Sequence, residues 1–105
     1  MEPIKVVVYG AAGRVGQEVV RAVTAEAGMT LVGACDLKAG AGTLSLPDGG
    51  EVPFSNDFAA LLDSCSPDVV VDFTAAGATL PAARAASKRG VNMVIGATGF
   101  SAADL

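Results

Sequence analysis

The sequence predicts an α/β fold, doubly wound around a mainly parallel sheet. Three observations lead there. Short apolar runs recur at residues 4–9, 30–35, 68–73 and 91–95, as strands buried on both faces require. Segments with helical spacing separate most of them. Glycine-rich turns follow the first and last runs, Gly10-Ala11-Ala12-Gly13-Arg14-Val15-Gly16 and Gly96-Ala97-Thr98-Gly99. The order β-α-β-(loop)-α-β-α-β implies parallel strands joined by crossovers.

Residues 4–9 give the first strand. Residues 14–27 read as a helix with Val15, Val19, Ala22 and Val23 on its apolar face. Arg14, Gln17, Glu18 and Arg21 lie opposite, and Gly28 is the expected C′ residue. The second strand, 30–35, ends at Asp36, and a loop follows over 37–42. Leu44, Leu46, Val52 and Phe54 alternate around Asp48-Gly49 as a small hairpin or edge strand. Pro47 and Pro53 argue for an edge position. Asn56 is the expected N-cap of a short helix, 57–63, with Phe58, Leu61 and Leu62 inward. Ser66-Pro67 breaks the chain before the strand centred on Val69, Val70 and Val71. Thr79, Leu80 and Pro81 open a helix that runs to Arg89, proline being tolerated in a first turn. Lys88 and Arg89 suit its C-terminal end, and Gly90 stops it. After the strand at 91–95, Ser101 caps a helix that the chain barely begins. The pattern reads as one truncated domain, 1–105, taken from a longer protein.

The first glycine turn follows a strand and opens a helix. A helix N-terminus offers free N–H groups and the positive end of the macrodipole, which suit a phosphate. Close approach of a pyrophosphate needs residues without bulk, as Gly10, Ala11, Ala12 and Gly13 are. Gly10 takes the tight turn, and Gly16 lets the helix sit close to the sheet. Arg14 adds a cation. The spacing is G-x-x-G-x-x-G and not the strict dinucleotide fingerprint, so a structural turn without a ligand stays open as a reading. Asp36, 20 residues beyond Gly16, stands where a Rossmann-like fold places an acid for the adenosine ribose. It accepts hydrogen bonds from the 2′- and 3′-hydroxyls of NADH and repels the 2′-phosphate of NADPH. Leu37 cannot hold a phosphate and Lys38 can only if the loop turns it inward, so NADH is the expected cofactor over NADPH. Phe73-Thr74 and the Gly96–Gly99 turn fall at the same ends of their strands, where open parallel sheets bind ligands. Each also reads as core packing or a plain turn.

The formal net charge of −4 argues against nucleic acid or an anionic membrane as partner. There is no histidine, so neither histidine catalysis nor a His-ligated metal site lies within these residues. Cys35 and Cys65 read as buried or half-buried thiols of a cytoplasmic protein. No signal peptide is visible, and no apolar run approaches the roughly 18 residues of a membrane span. A shortened sheet leaves apolar surface exposed, so self-association, or a partner segment over that surface, is expected.

With these residues assembled, the chain resembles the N-terminal domain of the 4-hydroxy-tetrahydrodipicolinate reductase (dihydrodipicolinate reductase) family of lysine, or diaminopimelate, biosynthesis. The family's glycine loop is similar to Gly10-Ala11-Ala12-Gly13-Arg14-Val15-Gly16. Its Asp-Phe-Thr motif matches Asp72-Phe73-Thr74, and its Gly-Thr-Thr-Gly-Phe motif is close to Gly96-Ala97-Thr98-Gly99-Phe100. The resemblance implies Gly10, Ala11, Ala12, Gly13, Arg14 and Val15 at the pyrophosphate and Asp36 at the adenosine ribose. It implies Phe73 and Thr74 near the nicotinamide ribose, and Gly96, Ala97 and Thr98 beside the nicotinamide. The implied reaction is hydride transfer from a reduced nicotinamide to a cyclic unsaturated dicarboxylate, by a homo-oligomer in the full-length protein.

Departures from the family pattern are specific. Ala97 replaces a threonine, Ala75-Ala76 stands where a proline is usual, and Leu37 replaces a common basic residue. The segment carrying paired histidines, a lysine and Asp-Ala-Pro-Ser-Gly-Thr is absent, so no catalytic residue is expected in this chain. Two other readings stay open: the cofactor domain of a 2,4-diaminopentanoate or homoserine type dehydrogenase, and a stand-alone, non-catalytic nucleotide-binding module.

Overall fold

The computed structural model describes residues 2–39, 42–73 and 76–96. The elements run β1 (Ile4–Tyr9), α1 (Arg14–Ala25), β2 (Met29–Cys35), β3 (Gly42–Ser45), β4 (Glu51–Ser55), α2 (Phe58–Cys65), β5 (Val69–Asp72), α3 (Ala76–Lys88) and β6 (Asn92–Ile95). They build one six-stranded sheet in the order β3-β4-β2-β1-β5-β6. All neighbours are parallel except β3 and β4, which pair antiparallel. The chain winds outward from β1 to β2 and β4, then returns to the other side of β1 for β5 and β6. The strand order therefore reverses at β1, and a doubly wound sheet opens its crevice at such a point.

The continuous apolar run in β1 serves two cores. Val6 and Val8 turn to one face, where they pack with Val20 and Val23 of α1 and with Leu31 and Ala34 of β2. Val7 and Tyr9 turn to the other, where Phe58, Leu61 and Leu62 of α2 and Ala82 and Ala86 of α3 cover them. Successive strand residues point to opposite faces, so a strand between two helical layers must be apolar throughout. Gly90, at φ 68, ends α3 in the left-handed region. Its N–H donates to the Ser87 carbonyl at 3.1 Å, and that of Val91 to the Ala86 carbonyl at 2.9 Å, as a helix stop of this kind requires.

Several local expectations change. The buried line of α1 is Gly16, Val20 and Val23, while Val15 is 41 % exposed. Gly16 has to face the sheet, and the spacing of four and then three residues carries Val20 and Val23 with it. The helix ends at Ala25 with an extended Glu26 as cap, so Gly28 is not its C′ residue. Asp57, not Asn56, caps α2: its side chain accepts the Ala60 N–H at 3.1 Å. The hairpin forms, but Pro53 lies in β4, one strand in from the edge strand β3. It is accommodated there because the β2–β4 register starts only at Phe54, so no ladder bond to β2 is lost at the proline. Helix α3 begins at Ala76, which puts Pro81 in its interior, where proline forfeits one helical hydrogen bond.

Both cysteines are free thiols; Cys35 is buried and Cys65 half-buried. The Cys65 thiol donates to the Val32 carbonyl at 3.2 Å. Burial, reinforced by the neighbouring Asp36 and Asp57, pushes the Cys35 thiol from 9.0 up to about 12. Above pH 9.0 the unfolded chain releases this proton while the folded chain keeps it. The unfolded state then binds fewer protons, so stability falls with rising pH, by about 1.4 kcal/mol per unit in this window. Urea unfolding at pH 8 and pH 10 checks this: wild type loses stability over that step, and Cys35→Ala loses correspondingly less. Parallel losses in the two proteins would contradict it.

Candidate functional site

Strand register builds the site. Tyr9 is level with Cys35 on one side and with Asp72 on the other, and Asp72 is level with Ile95. The next residues, Gly10, Asp36, Phe73 and Gly96, therefore leave the sheet along one rim. Backbone bonds tie them down: Gly10 N to Cys35 O at 2.8 Å, Phe73 N to Tyr9 O at 2.9 Å, Gly96 N to Asp72 O at 2.9 Å. These are the carboxyl ends of four parallel strands, flanking the switch point at β1.

The glycine turn is held from within. Gly10 adopts φ 90, a conformation that side chains resist. The Ala11 N–H donates to Cys35 O at 3.2 Å and the Gly13 N–H to Gly10 O at 3.1 Å. The Ala12 N–H donates to Asp36 Oδ2 at 2.9 Å. All four turn N–H groups, Gly10 to Gly13, are thus satisfied by the protein. The first intrahelical bond runs from Gln17 N to Gly13 O at 3.0 Å, and Gly13 caps α1 without a side-chain hydrogen bond. Arg14, Val15 and Gly16 hold the first-turn N–H groups that a helix leaves without intrahelical partners. They offer an anion three donors together with the macrodipole.

Two glycines of the turn differ in what they are for. A Cβ on Gly16 would lie 1.9 Å from Gly10 O and 2.9 Å from Ala11 Cα, so α1 packs on the turn backbone only because Gly16 has no side chain. A Cβ on Gly13 would meet only Gly10 O, at 3.4 Å. Gly13, Arg14 and Val15 are exposed on the rim. The protein's own packing thus does not require Gly13 to be small.

Asp36 is half-buried, and both its oxygens are engaged: Oδ2 with Ala12 N, and Oδ1 with Lys38 N at 2.9 Å. A carboxylate oxygen accepts more than one hydrogen bond, so Asp36 keeps capacity for further donors while bracing the turn. Leu37 is 69 % exposed beside it. On the other side of the switch point, Phe73 lies across Gly96, where a Cβ would come within 2.5 Å of the ring. Thr74, Ala97 and Thr98 lie outside the described residues.

Sequence patterns did not single out three features of this rim. Tyr9 stacks on Phe58 with ring centroids 4.6 Å apart. Burial, then Cys35, Asp72 and Asp36, push its phenol up from 10.0, so it stays protonated at neutral pH. Gln17, assigned to a solvated face, sends Nε2 to the Ala12 carbonyl at 2.9 Å. A groove of about 600 Å³ opens between α1 and the β3–β4 hairpin, with Ala11 and Ala12 at one end and Val20, Leu44 and Phe54 among its walls. The alternation of Leu44, Leu46 and Phe54 signalled the hairpin, but nothing local signalled that it would face α1.

The sequence model described as dihydrodipicolinate reductase, N-terminus, matches residues 4–105. The chain belongs to the dihydrodipicolinate reductase N-terminal family. A 4-hydroxy-tetrahydrodipicolinate reductase of Dehalococcoides mccartyi is 51% identical over 102 residues, which cover 96% of this chain and 39% of that protein. One from Moorella thermoacetica is 43% identical over 102 residues, covering 93% and 38%. A solved structure, a dipicolinate-bound dihydrodipicolinate reductase from Paenisporosarcina sp. TG-14, superposes with a TM-score of 0.78 at 30% identity, over 97% of this chain and 40% of that one. The chain thus spans about two fifths of the length of these reductases. Their family is one of oxidoreductases that bind a nicotinamide dinucleotide. No helix among the described residues is long and apolar enough to cross a membrane.

Proposed function

We propose that this chain is the cofactor-binding part of an NAD(P)H-dependent 4-hydroxy-tetrahydrodipicolinate reductase in lysine biosynthesis. The observation that carries the proposal is the level register of Tyr9, Cys35, Asp72 and Ile95, which gathers the glycine turn, Asp36, Phe73 and Gly96 on one rim. The residues present fit the cofactor. The first turn of α1 receives the pyrophosphate, Gly13 gives it room, Arg14 adds a cation, and Asp36 accepts from the adenosine ribose. Phe73 and Thr74 then border the nicotinamide ribose, and Gly96, Ala97 and Thr98 the nicotinamide.

When bound, the reduced nicotinamide supplies a hydride, here for a cyclic unsaturated dicarboxylate. This chain binds and orients, and the proton donor and carboxylate clamp belong to the remainder of a full-length reductase. A cytoplasmic location is part of the same proposal.

NADH is the preferred cofactor. A carboxylate at Asp36 would sit against a 2′-phosphate, and Leu37, 69 % exposed beside it, provides no countercharge for one. Calorimetry should give an NADH affinity about tenfold or more above that for NADPH, a difference of about 1.4 kcal/mol. The gap should narrow in Asp36→Ala. Equal affinities in the wild type would contradict the assignment.

Self-association also belongs to this reading. Val94 and Ile95 on the edge strand β6 are 57 % and 49 % exposed, and apolar edges invite pairing. Sedimentation velocity should show concentration-dependent association of the chain, and a strict monomer would count against it.

A further inference from the structure

We infer that Gln17 is a positioning residue of the nucleotide site, acting through the backbone of the glycine turn. Every N–H of the turn is anchored by the protein, so the turn is a fixed platform from which α1 starts. Its carbonyls are a different matter. The Ala12 carbonyl is held by a side chain from one turn further along α1, the Nε2 of Gln17 at 2.9 Å. The same peptide carries the Gly13 N–H that donates to Gly10 O at 3.1 Å. The Ala12–Gly13 peptide is therefore gripped at both its polar groups. The preceding peptide is gripped through the Ala12 N–H by Asp36 Oδ2 at 2.9 Å.

Gln17 and Asp36 reach Ala12 from two different elements and immobilise consecutive peptides. Those peptides lead directly into Arg14, Val15 and Gly16, whose N–H groups are the anion donors of the site. A rotation of the Ala12–Gly13 peptide would release the Gly13 N–H and shift the start of α1. Gln17 is exposed on the helix surface, and its side-chain hydrogen bond in the described structure goes to this one carbonyl. Its contribution is then to hold the donors in place before the ligand arrives, which reduces the ordering that binding must otherwise complete.

This inference rests on the dinucleotide reading above, and its test separates the two. The variant is Gln17→Met, which keeps side-chain length and helix preference and removes the donor. Three quantities are read: hydrogen exchange at the Ala12 and Gly13 amides in the ligand-free chain, calorimetric affinity for NADH and for ADP, and the thermal midpoint. The expected result is exchange about tenfold faster at both amides, with NADH and ADP weakened by the same factor of about three to ten. The thermal midpoint falls by no more than about 4–8 °C, the cost of that one bond, with the fold retained. Unchanged exchange with weakened binding would make Gln17 a direct ligand contact and overturn the positioning role. Faster exchange with unchanged affinities would overturn its relevance to the site. Wild-type chain that is folded and binds neither NADH nor ADP would defeat the dinucleotide reading and this role with it, while exchange in the free chain would still report whether the grip exists.

Discussion

Gly16→Ala destabilises the chain by about 3 kcal/mol or more, at or above the upper end of the usual cost of overpacking. The added Cβ would lie 1.9 Å from Gly10 O, 2.7 Å from the Gly10 carbonyl carbon and 2.9 Å from Ala11 Cα. All three are backbone atoms, so no rotamer change relieves the contact. The turn cannot retreat either, because Gly10 and Ala11 are bonded to Cys35 O. Helix α1 must move off the sheet, opening the contacts of Val20 and Val23, which are each 5% exposed. Urea unfolding measures the loss, and a change below about 1 kcal/mol would show that α1 sits less closely than described.

Gly13→Ala produces the opposite pattern. Gly13 has φ −74 and ψ 166, which any residue adopts, and its Cβ would meet a single atom at ordinary contact distance. Stability changes by no more than about 0.5 kcal/mol, as for a surface substitution. On the proposed reading NADH affinity falls at least tenfold, or about 1.4 kcal/mol, because the methyl group would occupy the space proposed for the pyrophosphate against the turn. With that outcome the two glycines, three residues apart, would separate a requirement of the fold from a requirement of the proposed ligand. Loss of stability without loss of binding in Gly13→Ala would reverse the assignment.

The strands and their parallel order were legible because a run such as Val6-Val7-Val8 suits few environments besides a sheet covered on both faces. The Gly10 turn was legible because an apolar run ends there in spaced glycines and a helical pattern begins, and Gly10 does take a positive φ. Asp36 was legible by its distance along the chain. What stayed hidden depends on tertiary geometry. On the expected face of α1, Val23 is buried and Val19 packs on the core, but Val15 and Ala22 are exposed, because the clash constraint on Gly16 sets the helix's rotation. Asp57 displaced the neighbouring Asn56 as cap, and the two side chains are equally suited to that role. Pro53 pointed to an edge strand because a sequence cannot reveal that the β2–β4 pairing begins one residue later. The engagement of Asp36 with Ala12 spans 24 residues, and that of Gln17 with Ala12 runs against the polar appearance of its helix face.

The central claim is that one rim of the sheet receives a nicotinamide dinucleotide. Amide resonances of the labelled chain, followed while NADH is added, test it most directly. The account predicts saturable shifts concentrated at residues 13–16, 36–38, 73 and 96, with the β3–β4 turn around Asp48 and the α3 terminus at Gly90 unmoved. A folded chain whose rim amides stay in place at millimolar NADH, or move no more than those at Asp48 and Gly90, would contradict it.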